Sequence, residues 1–582
     1  MLVYGDHMRR IDRAAWIERL RTIGQRTDDQ HPTAAHERLV SLLIETGQIA
    51  QAVADDVFEA AGGRDVHCEA SAGHMDLVAD LARLVCECWT NELQPQGALL
   101  VPDALLRQGP GEVIAREQEG FSYYAVYPEA FYEAARRLRV GGTIQVVGLR
   151  SIGTTLAAMV AAGCRAHRTS TLRPHGHPYD RIVSAPDLIA TLQAERPDHV
   201  CIVDEGPGRS GSSMASVVSA IEGLAGVNPS LHLFPSHTNM PGGEASPLSR
   251  RVFEELPRHV TSLDDLLITS GIAAHRLQTW VSDVTGPAIA PLLDVSAGGW
   301  RAYRGDTEPE WPACDPQQER RKFIHTTLRG TFLLKFTGIG QNGTEKARLA
   351  EELSQANLTP RHLGTRHGFS IAPWRDDMRS VAKTTRGGLL PFIAHYLAFR
   401  RCLRVGHDLD GAGAELLRDM AITNVGVALG SDAASRMQAV LFNFSELFRG
   451  SVRCCIDGRM HAHKWLTDGM GHYLKTDAVE HHAGHDLVGA QDIAWDIAGA
   501  DSAFHLTRRD TEQLRLAVED ASGKPVSENL LESLTYVQPA FELGRLWLAV
   551  GANAGSPEEG RLQAALNDLT INLEQHLWAG YK

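Results

Sequence analysis

Apolar residues recur at helical spacing over residues 35–61, at Leu39, Leu42, Leu43, Ile49, Val53 and Val57, and a second such pattern covers 75–89. Residues 10–90 therefore read as helical, closed by a polar break at 91–97 that contains Pro and Gly. From residue 121 the period changes. A helix over 127–138 leads to an apolar run at 143–147, and another helix starts near Thr154. Apolar runs at 199–203 and 231–234 flank a helix over 213–224. Strands alternating with helices predict a parallel α/β sheet. Residues 235–247 are loop-rich, and 306–318 are polar and contain Pro. A fresh strand pattern covers 330–336 and a helix pattern 344–353. Long helices dominate from about 388 onward, interrupted by a loop- and strand-like stretch at 451–490.

A chain of 582 residues exceeds one ordinary core, so two to four domains are expected. The formal net charge of −14 argues against broad nucleic-acid or membrane-surface binding. The amino-terminal stretch lacks the ordered regions of a signal peptide, and no apolar run reaches membrane-spanning length. Nine scattered cysteines lack zinc-ribbon spacing, which fits reduced thiols and a cytoplasmic location.

The chemistry concentrates first at residues 200–213. An apolar run ends in Asp204 and Glu205, and the small-residue loop Gly206, Pro207, Gly208, Arg209, Ser210, Gly211, Ser212, Ser213 opens a helix. Acids at the carboxyl end of a parallel strand lie where open α/β sheets bind ligands. A loop before a helix can present backbone N–H groups to a phosphate. Together they suit a ligand with vicinal hydroxyls and a phosphate, that is, a ribose phosphate. A second loop, Gly148, Leu149, Arg150, Ser151, Ile152, Gly153, also follows an apolar run and opens a helix. A bland alternative is a doubly wound sheet whose strand simply ends in two acids and a glycine turn. His175 and His177 could share a metal but lack companions at ligand spacing, so they read as turn histidines.

These segments resemble the ribose-phosphate and pyrophosphate loops of type I phosphoribosyltransferases, over roughly 120–240. The resemblance implies that Asp204 and Glu205 meet the ribose hydroxyls, that Arg150 and Ser151 meet pyrophosphate, and that Gly206, Gly208, Arg209, Ser210, Gly211, Ser212 and Ser213 cradle the 5′-phosphate. It implies phosphoribosyl pyrophosphate (PRPP) and Mg2+, with Asp204 and Glu205 as metal-side acids, and the region 123–130 as a hood. One departure stands out: the stretch 206–209 is one residue longer than the family's usual three.

The carboxyl-terminal half carries a second constellation. Lys335 lies among apolar residues of the 330–336 strand, and Glu345 follows in the next helix, with Glu352 as an alternative partner. A strand lysine paired with a helix glutamate positions nucleotide phosphates in kinase-like folds; the bland reading of Lys335 is an edge-strand lysine whose head reaches solvent. Later come Asp457, Arg459, His461, His463 and Lys464, then Asp477, then Asp492 and Asp496. This order resembles the aminoglycoside/choline kinase-like phosphotransferases, and implies ATP binding, Asp477 as a metal aspartate, and Asp492 and Asp496 organising the lobe. Arg459 stands where that family has its catalytic aspartate, and Lys464 where it has a metal-binding asparagine. His461 or His463 is then the candidate base, with Asp457 as another. Residues 296–299 are a weak candidate for a glycine-rich nucleotide loop, and His481, His482, His485 and Asp486 a weak candidate zinc site.

The expected architecture is a multidomain α/β protein. It comprises a helical segment (1–95), a phosphoribosyltransferase-like parallel α/β sheet (96–265), a linker or start of the next lobe (266–320), and a bilobal α+β kinase-like domain (321–582). The expected function is a bifunctional transferase acting on small molecules: PRPP-dependent phosphoribosyl transfer, or its reverse, on a base-like compound, with ATP bound in the second half for transfer to a related metabolite. A homodimer is an assembly the resemblance leaves open. The alternative is a regulatory protein that senses nucleotide or PRPP with a degenerate kinase-like half; a third reading gives that half a purely structural role.

Overall fold

Two largely apolar central strands, flanked by one strand on each side, form the parallel sheet at the centre of the first half. In a computed structural model, which describes residues 1, 8–25, 31, 33–94, 111–304, 307–382, 385–403, 411–480 and 488–579, the spatial order is Arg168–Leu172, Ile144–Leu149, His199–Val203, Ser230–Phe234. All neighbours run parallel, with Val147 beside Ser170 on one side and Ile202 on the other. Every residue of Ile144–Leu149 is buried, as a central strand covered on both faces requires.

The chain reaches this sheet from two sides. Helix Gly153–Cys164 covers one face, where Val146, Cys201 and Val203 join its core, while helices Pro186–Glu195 and Ser212–Glu222 cover Val147, Val200 and Ile202 on the other. The helices that follow strands Ile144–Leu149 and His199–Val203 thus leave to opposite faces. The crevice between the carboxyl ends of those two strands is a topological switch point, the usual ligand position in such sheets.

The amino-terminal helices Ala34–Ala60 and Glu69–Thr90 do not form a core of their own. Leu43, Ile49, Leu81 and Trp89 share one continuous core with the near face of the parallel sheet and with Phe323, Leu334, Phe336 and Ile371 of an antiparallel sheet. That sheet has the order Gly364–Arg366, Phe369–Pro373, Gly330–Phe336, Lys322–Thr327, Leu293–Asp294. A separate helical core is built around Leu389–Cys402, Ala414–Leu429, Ala494–Phe504 and Glu528–Ala552. Between these lies a small sheet of Arg379–Ser380, Trp465–Thr467 and Tyr473–Lys475.

The expected parallel sheet is present, and the molecule is a mixed α/β protein. Several elements depart from the sequence reading. Residues 10–12, read as helical, belong instead to strand Met8–Asp12, which pairs with Glu112–Arg116. Strand Arg168–Leu172 and the hairpin His175–His177/Asp180–Ile182 are also additions. Strand Gly330–Phe336 is interior, flanked on both sides, so Lys335 is not an edge-strand lysine.

Candidate functional sites

At the switch point, a cavity of about 230 Å³ opens between the strand ends. Its lining joins the two loops singled out in the sequence: Leu149, Arg150, Ser151 and Ile152 from one, Asp204, Glu205 and Ser213 from the other. Four arginines (Arg116, Arg150, Arg173, Arg181) and four acids (Glu117, Glu119, Asp204, Glu205) face it. Close backbone approach makes the junction. A Cβ on Gly148 would stand 2.2 Å from the Gly153 carbonyl oxygen, and one on Gly153 would stand 2.7 Å from that of Val203. The Gly148–Gly153 turn can therefore lie directly across the end of the acid-bearing strand.

The two acids are held differently. Glu205 accepts a hydrogen bond from the Gly120 N–H at 3.0 Å, and its own carbonyl accepts from the Ser236 hydroxyl at 2.8 Å. Asp204 Oδ1 accepts from the Glu205 N–H at 2.8 Å. Burial pushes the Asp204 carboxyl up to about 6, against the opposing pull of that N–H and of the Arg173 charge.

Other residues of the loops do not sit as the resemblance implies. The Arg150 guanidinium is matched by Asp55 at 2.8 Å and Asp65 at 2.5 Å, and Arg173 also binds Asp55. Arg150 is thus locked in a buried acid–base cluster built with the amino-terminal helices, and its task at the cavity is to fix the turn. Arg209 turns away and donates to the Leu548 carbonyl at 3.2 Å. Ser210 and Ser212 share a hydrogen bond, and Ser212 donates to the Pro178 carbonyl at 2.6 Å. Gly208 and Gly211 take positive φ, while Gly206 does not. Ser213 is the loop hydroxyl that reaches the cavity. Asp55 and Asp65 were not foreseen, because nothing in a helix and its following turn marks acids that pair some 90 residues on.

The second site is a cleft of about 150 Å³ between the antiparallel sheet and the small sheet. Lys322, Lys335, Arg304, Lys464 and Asp477 line it together with Trp300, Trp374 and His463. Lys335 and Lys464 each donate to one oxygen of Asp477, whose backbone is in the left-handed region at φ +53°. The second partner of Lys335 is Glu480, at 3.0 Å. Glu345 is not that partner: it lies on the outer face of helix Gly340–Gln355 and accepts from Gln341, while Glu352 pairs with Arg348. The inward position beside them is Lys346, buried against the Tyr123 ring at 4.7 Å and donating to the Ser122 carbonyl. Helical phase explains the correction, since the inward stripe holds Lys346, Leu349 and Leu353.

His463 stacks near Trp300, and burial first, then the Lys464 charge, holds its pKa well below the usual value. His461 lies apart from the cleft lining, 3.9 Å from Glu542, with its pKa lowered to about 3 chiefly by desolvation. Asp457 does not reach the cleft. It is fully buried, bound by Tyr396 and by Lys475 at 3.1 Å, with its N–H donating to Asp496. Asp496 and Asp492 both brace backbone turns, the latter accepting from the Val452 N–H at 3.0 Å, so they organise the lobe. At residues 296–299, a Cβ on Gly298 would stand 2.5 Å from the Arg301 guanidinium, which is bound to Glu558 at 2.7 Å. The run 481–486 lies outside the described residues.

No protein-family model matches the chain, and no curated protein matches it. Similar solved structures include choline kinase LicA from Streptococcus pneumoniae, 16% identical over 43% of this chain and 89% of that one, with a TM-score of 0.31. A choline/ethanolamine kinase family protein from Mesorhizobium loti is 12% identical over 44% and 88%, with a TM-score of 0.32. A thermostable mutant of aminoglycoside phosphotransferase APH(4)-Ia, in a ternary complex with ADP and hygromycin B, is 11% identical over 50% and 98%, with a TM-score of 0.30.

Proposed function

We propose that the switch-point cavity binds an activated ribose phosphate of the PRPP type and transfers the phosphoribosyl group to, or from, a base-like small molecule. The observation that carries this reading is that Asp204, Glu205, Ser151 and Ser213 line one cavity at the carboxyl ends of two parallel strands. The carboxylates can accept hydrogen bonds from the two ribose hydroxyls. Arg181, which lines the same cavity, places positive charge where a leaving pyrophosphate accumulates negative charge. The acids would also stabilise the electron-poor sugar carbon as the glycosidic bond breaks.

Mg2+ suits this cavity's donor set. The acids offer hard oxygen ligands side by side at the cavity. When bound, Mg2+ supplies charge neutralisation for pyrophosphate, and Asp204 and Glu205 are the residues that would hold it. The lysine cleft does not suit it in the same way. Both oxygens of Asp477 are taken by lysines, and Lys464 puts a cation where a second metal ligand would be needed.

The cleft accordingly reads as a site for phosphate-bearing nucleotides such as ATP, with Lys322, Lys335 and Lys464 supplying the charge. Its facing imidazole, His463, is held neutral by burial and is a weak base, and Asp477, the one carboxylate among the lining residues, is paired with Lys335 and Lys464. This observation favours the second reading, in which the cleft binds nucleotide to regulate the first site.

The test is incubation of the full chain with PRPP, Mg2+ and a panel of nucleobases, measuring pyrophosphate release. Turnover that is lost in Asp204→Asn and Glu205→Gln supports transfer. Tight PRPP binding without turnover across the panel supports sensing and contradicts transfer. Nucleotide binding that is the same in wild type and Lys335→Ala contradicts the assignment of the cleft.

A further inference from the structure

Away from both cavities, two imidazoles and a carboxylate converge inside the shared core. His36 stands in the first turn of helix Ala34–Ala60, Glu129 in the first turn of helix Pro128–Arg136, and His367 in the turn between strands Gly364–Arg366 and Phe369–Pro373. Their side chains are 0%, 0% and 2% exposed. His36 Nε2 lies 2.6 Å and His367 Nε2 2.9 Å from the same oxygen, Glu129 Oε1, and the potential ligand atoms all lie within 4.8 Å of one another. Among the described residues this is the one group of three or more such side chains so arranged.

We propose that His36, Glu129 and His367 bind a divalent transition-metal ion, Zn2+ foremost, as a structural staple. Nitrogen and carboxylate donors in this ratio suit zinc and its first-row neighbours and disfavour Mg2+ and Ca2+, which take oxygen ligands.

Three features favour a metal over a simple hydrogen-bonded triad. First, both imidazoles meet Oε1, while Glu129 Oε2 is buried with no hydrogen-bond partner. A bare buried carboxylate oxygen costs about 1–3 kcal/mol, and an ion would take it as a further donor. Second, His367 holds a left-handed backbone at φ +41°, unusual for a residue with a side chain. Its N–H donates to Glu37 and its carbonyl accepts from Tyr127, each at 2.6 Å, so the chain is clamped on both sides of a strained residue to aim this ring. Third, the rings of Trp89, Tyr127 and Trp280 lie 5.1–5.6 Å from the two imidazoles and wall the group from water. Metal–ligand bonds of about 2.0–2.2 Å separate neighbouring donors by roughly 3–3.5 Å, so the triad opens by about half an ångström to admit the ion.

A closed, water-free site suits structure rather than catalysis. The three residues come from an amino-terminal helix, the helix leading into the parallel sheet, and the antiparallel sheet. An ion there would tie all three together.

The test uses the full chain, stripped with a chelator and then titrated with Zn2+ or Co2+. The expected result is one ion per chain, a raised thermal midpoint, and for Co2+ the visible bands of a low-coordinate nitrogen/oxygen site. His367→Gln and Glu129→Gln should lose that ion. Because these buried variants can fail to fold, X-ray absorption of the wild-type zinc form supplies an independent reading, expected to show two imidazoles in the first coordination shell. Wild-type protein that takes up no zinc above background, with an unmoved midpoint, overturns the proposal, as does stoichiometric zinc whose shell lacks imidazole.

Discussion

Asp204 shows how a single residue joins ligand chemistry to stability. Its folded pKa of about 6 lies above the ordinary 3.8 of an unfolded aspartate. Between those values the folded chain holds a proton that the unfolded chain has released, so stability falls as pH rises through that window and the cost is fully present above it. Asp204→Asn should therefore stabilise the chain above pH 6, by about 1–3 kcal/mol, and leave it unchanged below pH 4. Thermal midpoints across pH 3–8 check this; a variant less stable than wild type above pH 6 would contradict it. Residues of this kind were readable in the sequence because strand, acids and small-residue loop are consecutive. Glu480 was not, since it lies 145 positions after Lys335 and no local pattern announces the pairing. Glu345 drew the expectation because it is near in sequence, and helical phase then turned it outward.

Among elements, the Gly148–Gly153 turn is the one on which the cavity depends. A methyl group on Gly148 would meet the Gly153 carbonyl at 2.2 Å and the Ala157 Cβ at 2.7 Å, and both belong to the helix that must seat against the sheet. Gly148→Ala should cost about 1–3 kcal/mol or more by overpacking, and should weaken ligand binding at Asp204 by displacing Ser151. Denaturant unfolding and a binding titration check the two effects together; unchanged stability would contradict the close packing. Strands buried on both faces, such as Ile144–Leu149 and His199–Val203, were legible as apolar runs. Arg168–Leu172 was not, because it is an edge strand with only Leu172 fully buried. Met8–Asp12 and Glu112–Arg116 escaped notice because they are short and pair across about 100 residues.

In the whole molecule, a run of polar contacts leads from the first cavity toward the second. Helix Glu119–Tyr123 follows Glu117 at the first cavity, and its Ser122 and Tyr123 carbonyls accept from Lys346 at 3.2 Å and Arg320 at 3.0 Å. Arg320 and Lys335 meet Glu480 at the edge of the second. Burial, then the Arg320 charge, lowers the Lys346 pKa to about 7. From there up to about 10.5 the unfolded chain carries a proton that the folded chain lacks, so this lysine makes stability climb with pH. Lys346→Met should stabilise the chain at pH 7 and flatten that climb; denaturant midpoints at pH 7 and pH 10 check it, and an unaltered slope would contradict it. With two cavities able to attract phosphate, the central question is which one takes the sugar phosphate. Calorimetric titration of the full chain with PRPP and Mg2+ decides this most directly. The expected result is one binding event per chain that is abolished by Asp204→Asn with Glu205→Gln and retained in Lys335→Ala. Binding that survives loss of the acid pair, or that vanishes with Lys335 alone, would contradict a ribose-phosphate site at the switch point.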